Sequence, residues 1–234
     1  MGEKGSDKVD KFLSKYKKEF FSDVKGKVLE IGPGYGTTMQ YLNFSKIDKY
    51  VLLEPNEKFH GKLEATASKL GINVDRARGN KESKNTESDI KSKNSVIIVE
   101  EFMTGADSIP PVLSENGPYD CVISSLVLCS VDDVESAVKG IVKVLKPGGK
   151  FYFIEHIYAS SPDTTWNLFI RLAQKALTPI WTLVSGNCHL NRDTIDIIKR
   201  NSGLSSVTIV NSNIEIDNLM GILAPMSFGY ATRK

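Results

Sequence analysis

The sequence predicts an α/β fold, a mostly parallel sheet with helices on both faces. Three observations carry that expectation. Short apolar runs alternate with helix-period segments from residue 27 to 157. A glycine-rich turn directly follows the first run, in Val28-Leu29-Glu30-Ile31-Gly32-Pro33-Gly34-Tyr35-Gly36. Finally, small and polar residues gather at the carboxyl ends of the runs: Gly32–Gly36, Glu54, residues 104–107, Ser125-Leu126 and Glu155-His156. Open α/β sheets bind ligands at that edge.

Each element has its own warrant. Met1–Ser6 reads as frayed. Val9, Phe12, Leu13, Tyr16 and Phe20 then recur at helical spacing, with Lys8, Lys11, Lys15 and Lys18 opposite, so residues 7–24 hold an amphipathic helix. Such a helix either packs on the domain with its lysines in water, or flaps over a ligand mouth or touches anionic lipid. Val28, Leu29 and Ile31 suit a buried strand. The glycines allow the sharp turn and close ligand approach that follow, and Thr37 to Leu42 begins a helix. Tyr50–Glu54 is the second strand. Glu57–Leu70 is helical and stops at Gly71. Asn73–Asn94 is polar, lysine-rich and without period, and reads as a solvated insertion. Ser95–Glu100 is a buried third strand and Tyr119–Ser124 the fourth. Asp132–Leu145 is a helix stopped by Lys146-Pro147-Gly148-Gly149, and Phe151–Ile157 is the fifth strand. Residues 158–185 depart from the alternation: Trp166, Phe169, Ile170, Ala173, Leu177 and Trp181 make an apolar helix broken at Pro179. That helix roofs a substrate pocket, touches membrane or packs across the sheet end. A polar turn, Gly186–Asp193, precedes a short helix through Arg200, and Ser206–Val210 and Ser227–Thr232 close the sheet. The reading is one domain: a core at 27–157, a lid at 158–203 and closing strands at 204–234.

Composition is ordinary, with 41% hydrophobic and 25% charged residues and a net charge of +2. It gives no reason to expect a nucleic-acid partner. Cys121, Cys129 and Cys188 have no close-spaced metal pattern, so no metal is expected, and one is unpaired under any disulfide scheme. An intracellular, cytoplasmic location follows, with a weak peripheral membrane contact as the second expectation. No apolar run is long enough to span a membrane, no secretory signal is expected, and a monomer is favoured.

The glycine spacing narrows the ligand. A dinucleotide fingerprint needs a third glycine where Thr37 stands, and the Gly-Lys-Ser/Thr of a phosphate loop is absent. The pattern Glu30-x-Gly32-x-Gly34-x-Gly36 resembles the first motif of class I methyltransferases, which bind S-adenosylmethionine and release S-adenosylhomocysteine. Residues 27–157 share that likeness. Leu126-Val127-Leu128-Cys129-Ser130-Val131, Phe153-Ile154-Glu155-His156, Thr165-Trp166-Asn167, Cys188-His189-Leu190-Asn191-Arg192-Asp193-Thr194 and Gly229-Tyr230-Ala231 resemble the methyltransferase-like alkyl-thiol S-methyltransferases. The resemblance implies a Rossmann-like sheet of seven strands with the last antiparallel.

These readings nominate site residues. Glu30, Gly32, Gly34, Gly36, Pro55, Asn56, Ser125 and Leu126 would surround the cofactor. Glu54, at the tip of the neighbouring strand, would accept from the ribose hydroxyls, or it caps the next helix. Gly105 and Ala106 are small enough for a flat base to lie against, and Asp107 would accept from its amine, or is a turn residue. His156 and His189 are candidate bases because histidine titrates near neutrality, with a structural role as the alternative. Trp166 would line the substrate pocket or fill core, and Glu155, Asn187 and Arg192 would each orient a substrate or lock the turn. Cys129 reads as a packed small residue, or as a nucleophile if exposed and activated. The expected reaction methylates a small apolar thiol. Its rivals are an N-methyltransferase acting on an amine or phospholipid head group, and a cofactor-binding protein without turnover.

Overall fold

The computed structural model describes residues 3–77, 95–103, 105–159, 164–214 and 219–234. In chain order its elements are α1 (Glu3–Phe20), β1 (Gly26–Ile31), β2 (Ile47–Leu53), α2 (Glu57–Lys69), β3 (Asn73–Ala77), β4 (Ser95–Val99), α3 (Pro111–Asn116) and β5 (Tyr119–Ser125). Then follow α4 (Val134–Val144), β6 (Leu145–His156), α5 (Thr165–Val184), α6 (Thr194–Arg200), β7 (Leu204–Ile214), α7 (Leu219–Leu223) and β8 (Met226–Arg233). All eight strands join one sheet in the order β3-β4-β2-β1-β5-β6-β8-β7. Only β8 runs antiparallel to its neighbours.

Successive strand residues point to opposite faces, and the sheet buries both. Leu29, Ile31, Val51, Leu53, Ile97, Val99, Val122, Phe151 and Phe153 meet α4 and α6 through Val138, Ile141 and Ile198. Val28, Tyr50, Leu52, Val96, Ile98, Ile123, Tyr152, Ile154 and Phe228 meet α1 and α2 through Leu13, Leu63 and Ala67. Both faces are therefore covered, as the apolar runs require. Helix α5 packs on α7 beyond the sheet end.

The structure differs from expectation in several places. Helix α1 begins at Glu3, so residues 3–6 are helical rather than frayed, and α5 runs unbroken through Pro179. The sheet has eight strands rather than seven, because Asn73–Ala77 is not part of a solvated insertion. It pairs in parallel with β4 as an edge strand. Val74 packs on the core, while Arg76 faces outward to Glu64 at 2.5 Å. The rest of the predicted insertion, residues 78–94, lies outside the described residues. After the glycine turn there are two short 3-10 turns, Met39–Tyr41 and Phe44–Lys46, and not a full helix. Residues 146–149 belong to the start of β6, where the register with β5 shifts.

The chain leaves β1 for β2 on one side, and β5 lies on the other. The connections diverge there, so a crevice opens at the carboxyl ends of β1, β2 and β5.

Candidate active site

The crevice is a cleft of about 950 Å³. Its floor begins where β1 ends. Gly32 donates its N–H to the Leu53 carbonyl at 2.9 Å, tying the turn to β2. Gly32 has φ of 57°, and a Cβ there would sit 2.8 Å from Val127 Cγ2. Gly34 has φ of 54° and faces open space. Its N–H donates to Glu54 Oε2 at 3.0 Å, and the Asn56 N–H donates to Oε1 at 3.0 Å. Backbone donors from two loops therefore hold both oxygens of Glu54. Burial raises its pKa above the usual carboxylate range, against the pull of those two N–H groups.

Helix α1 forms part of the cleft wall through Ser6, Val9, Asp10 and Lys17. Lys17 is only 3% exposed and pairs with Asp10 at 2.8 Å. Asp10 also accepts from Gln40 and the Tyr41 hydroxyl. The helix thus combines two of the roles the sequence left open: it packs on the domain through Leu13 and borders the cleft.

Of the residues expected to hold a cofactor, Gly32, Gly34, Glu54, Pro55, Asn56, Ser125 and Leu126 line this one cleft, as does Asn187 among those expected to meet substrate. Leu126 takes a left-handed φ of 60° and donates to the Ile154 carbonyl at 2.7 Å, which turns the chain at the cleft floor. Asn187 donates to the Ser130 carbonyl at 2.9 Å.

The other nominated residues do not line the cleft. Glu30 is buried beneath the turn and accepts from the Tyr50 hydroxyl. Gly36 faces inward, where a Cβ would meet Met39 and Leu63. Gly105 packs against Ser136 and Gly140 of α4, the Ala106 carbonyl accepts from Lys143, and Asp107 is exposed. Thr104 lies outside the described residues. Glu101, Phe102 and Met103 occupy the wall expected of Gly105–Asp107. Trp166 is 60% exposed on α5 and stacks on Phe169. Arg192 donates to the carbonyls of Leu128 and Val131, so it fastens the loop after β5. His189 Nδ1 lies 2.7 Å from the Asn187 carbonyl. Neither it nor His156 is among the residues that line the cleft.

Sequence reading missed Thr37, Phe59, Asp132, Asp133 and Ser136, all of which line the cleft. It also missed a thiol–imidazole cluster beside the cleft. Cys129, His156 and Cys188 bring their ligand atoms within 4.8 Å of one another. His156 Nδ1 is 3.4 Å from Cys188 Sγ. The neighbouring Cys129 and then His156 push the Cys188 thiol down to about 4 against the effect of burial, while Cys188 and burial push Cys129 up. The Trp181 indole adds to the pull on Cys188 without making a formed hydrogen bond.

Glu155 organises the floor next to that cluster. It is fully buried and accepts from Ser124 Oγ at 2.6 Å and from the N–H groups of Val127, Leu128 and Cys129 at 3.2, 3.1 and 3.4 Å. Glu155 therefore locks a turn, one of its two expected roles.

The family described as methyltransferase domain matches residues 5–205. Human thiol S-methyltransferase TMT1A is 35% identical over 118 residues, which span 50% of this chain and 45% of that protein. Rat thiol S-methyltransferase TMT1B is 28% identical over 192 residues, 79% of this chain and 66% of the relative. The chain thus spans less than two thirds of either relative. Among solved structures, the N-methyltransferase NodS of Bradyrhizobium japonicum with S-adenosyl-L-homocysteine has a TM-score of 0.54 at 11% identity, covering 97% of this chain and 86% of that one.

Proposed function

The chain belongs to the methyltransferase domain family, and we propose that it moves the methyl group of S-adenosylmethionine onto a small apolar thiol. One observation carries the cofactor half: the corner built by Gly34, Glu54 and Asn56, where a buried carboxylate held by two backbone N–H groups faces a cleft. Its remaining lone pairs suit a pair of ribose hydroxyls. Gly32, Pro55, Ser125 and Leu126 complete the enclosure. The thiol half is supported by the two thiol S-methyltransferase relatives.

When bound, the cofactor supplies an electrophilic methyl on a sulfonium, whose departure leaves a neutral thioether. No residue is then needed to protonate the leaving group. The chain's task is to align an acceptor and exclude water, which is worth up to roughly 7–11 kcal/mol in well-oriented systems. Helix α1 and the 185–187 turn wall the cleft and do the excluding. A thiol with pKa near about 8.5 needs only modest help to ionise.

The test is incubation with methyl-labelled cofactor and matched thiols and amines. Labelled thioether is expected. Label on amines alone would reassign the acceptor, and cofactor binding without any product would leave a binding protein.

A peripheral membrane contact belongs to the same proposal. Among the described residues no helix is long and apolar enough to cross a membrane. Yet α5 exposes Leu172, Ile180, Leu183 and Val184, and α1 exposes Lys8, Lys11 and Lys18. Three free thiols suit a reducing compartment. Co-sedimentation with anionic vesicles checks the contact.

A further inference from the structure

The thiol–imidazole cluster has the composition and spacing of a metal site. A tetrahedral zinc ion, with Zn–S of about 2.3 Å and Zn–N of about 2.0–2.1 Å, holds its ligand atoms roughly 3.5–3.8 Å apart. Here the His156 Nδ1 to Cys188 Sγ separation is 3.4 Å, and all three donor atoms fall within 4.8 Å. Two sulfurs and an imidazole favour zinc over hard cations. The backbone around them is tied down, as metal ligands require. Glu155 accepts from the Cys129 N–H, and His189 donates its N–H to the Cys129 carbonyl at 2.8 Å. Three protein ligands leave a tetrahedral ion one open position, the arrangement of a catalytic zinc. The cleft is adjacent: Ser130, whose Oγ lies 3.5 Å from Cys129 Sγ, lines it, and so does Asn187 next to Cys188.

We propose that Cys129, His156 and Cys188 bind one zinc ion, and that the acceptor thiol takes its fourth position as a thiolate. The second half rests on the thiol-methylation reading above. Cys129 on metal binding, and the acceptor on its own coordination, each give a thiol proton to solvent. The acceptor's sulfur lone pair then forms the new S–C bond as the sulfonium S–C bond breaks, and that pair stays on the departing thioether sulfur. Nothing is oxidised or reduced.

The full chain, purified under reducing conditions and stripped of metal, is titrated with cobalt(II) as the zinc probe. The expected result is one equivalent bound, with an intense thiolate-to-cobalt charge-transfer band that zinc abolishes. Cys188→Ser and His156→Ala should each weaken cobalt binding at least ~100-fold, beyond what loss of a ligand's outer partner costs. Cys121→Ser, which removes a thiol outside the cluster, should keep the band. Circular dichroism and S-adenosylhomocysteine calorimetry show which variants fold. Absence of the band in folded protein, or its survival in folded Cys188→Ser, overturns the site. Adding thiophenol to the cobalt form should shift the visible bands, and an unchanged spectrum overturns acceptor coordination. Cobalt binding without cofactor binding would instead sink the methyl-transfer reading and leave the metal site standing.

Discussion

At Glu54 the proposed cofactor recognition meets its sharpest test. On that proposal its carboxylate would accept from the ribose hydroxyls, and each hydrogen bond to a charged group is worth about 1.5–3 kcal/mol. Glu54→Ala should therefore weaken S-adenosylhomocysteine binding at least tenfold, about 1.4 kcal/mol, by calorimetry on folded protein. Its pKa is raised by burial, and the sign of the pH effect follows. Ionised Glu54 costs folding stability, so its contribution is largest below the unfolded value and is lost as pH rises through the folded one. Ribose binding needs the ionised form, so affinity should fall as pH drops through the raised value, earlier than for an exposed glutamate. Glu54→Gln should flatten that acid limb in a calorimetric pH series. The glycines differ from one another. An alanine at Gly32 combines a φ of 57° with a 2.8 Å approach to Val127, whereas one at Gly34 meets nothing within 4 Å. Gly32→Ala should cost more than Gly34→Ala in thermal stability, by roughly 1–3 kcal/mol for the overpacking. Gly34→Ala should share the cost of the left-handed φ of 54° but not the overpacking, and should also be felt in cofactor affinity. Among these residues the sequence was legible where chemistry is local, as at Glu54 and Gly34. It was not legible at Gly105–Asp107, because small residues suit a ligand floor and a helix contact equally, and Gly105 packs on Gly140 while the Ala106 carbonyl accepts from Lys143.

At the scale of elements, α1 is the most exposed to test. Leu13 is fully buried against the sheet, while Asp10 and Lys17 on the same helix border the cleft. Leu13→Ala should cost about 2–5 kcal/mol by denaturant unfolding and also lower cofactor affinity, since loosening the helix opens a wall. An unchanged affinity would mean that the wall is dispensable. The apolar strands were readable because runs such as Val96-Ile97-Ile98-Val99 leave no other economical conformation. Strand β3 was hidden because an edge strand buries little, and Asn73-Val74-Asp75-Arg76-Ala77 offers one large inward side chain, Val74. Helix α5 was found, but which of its faces meets the protein was left open. Trp166 and Phe169 stack on its outer side, and periodicity alone does not say which stripe faces the protein.

The whole molecule joins two hydrophobic cores through one sheet, and the cleft touches both, with Val127 and Leu126 on opposite sides. Ligand occupancy should then report on global stability. Saturation with S-adenosylhomocysteine at 100 times its Kd should add about 2.7 kcal/mol, read as a rise in melting temperature that is absent in Glu54→Ala. The thiol–imidazole cluster is a property of this scale alone. Cys129, His156 and Cys188 are distant in the chain, so no spacing rule announces them, and only the return of β6 and the 186–193 turn to the loop after β5 brings them together. Glu155 carries a further consequence, for directed evolution. One carboxylate collects Ser124 Oγ and three successive backbone N–H groups, so any substitution of Glu155 itself would orphan several buried donors at once. Libraries seeking new acceptors should diversify 101–103 and 185–187, leaving that anchorage as inherited scaffold.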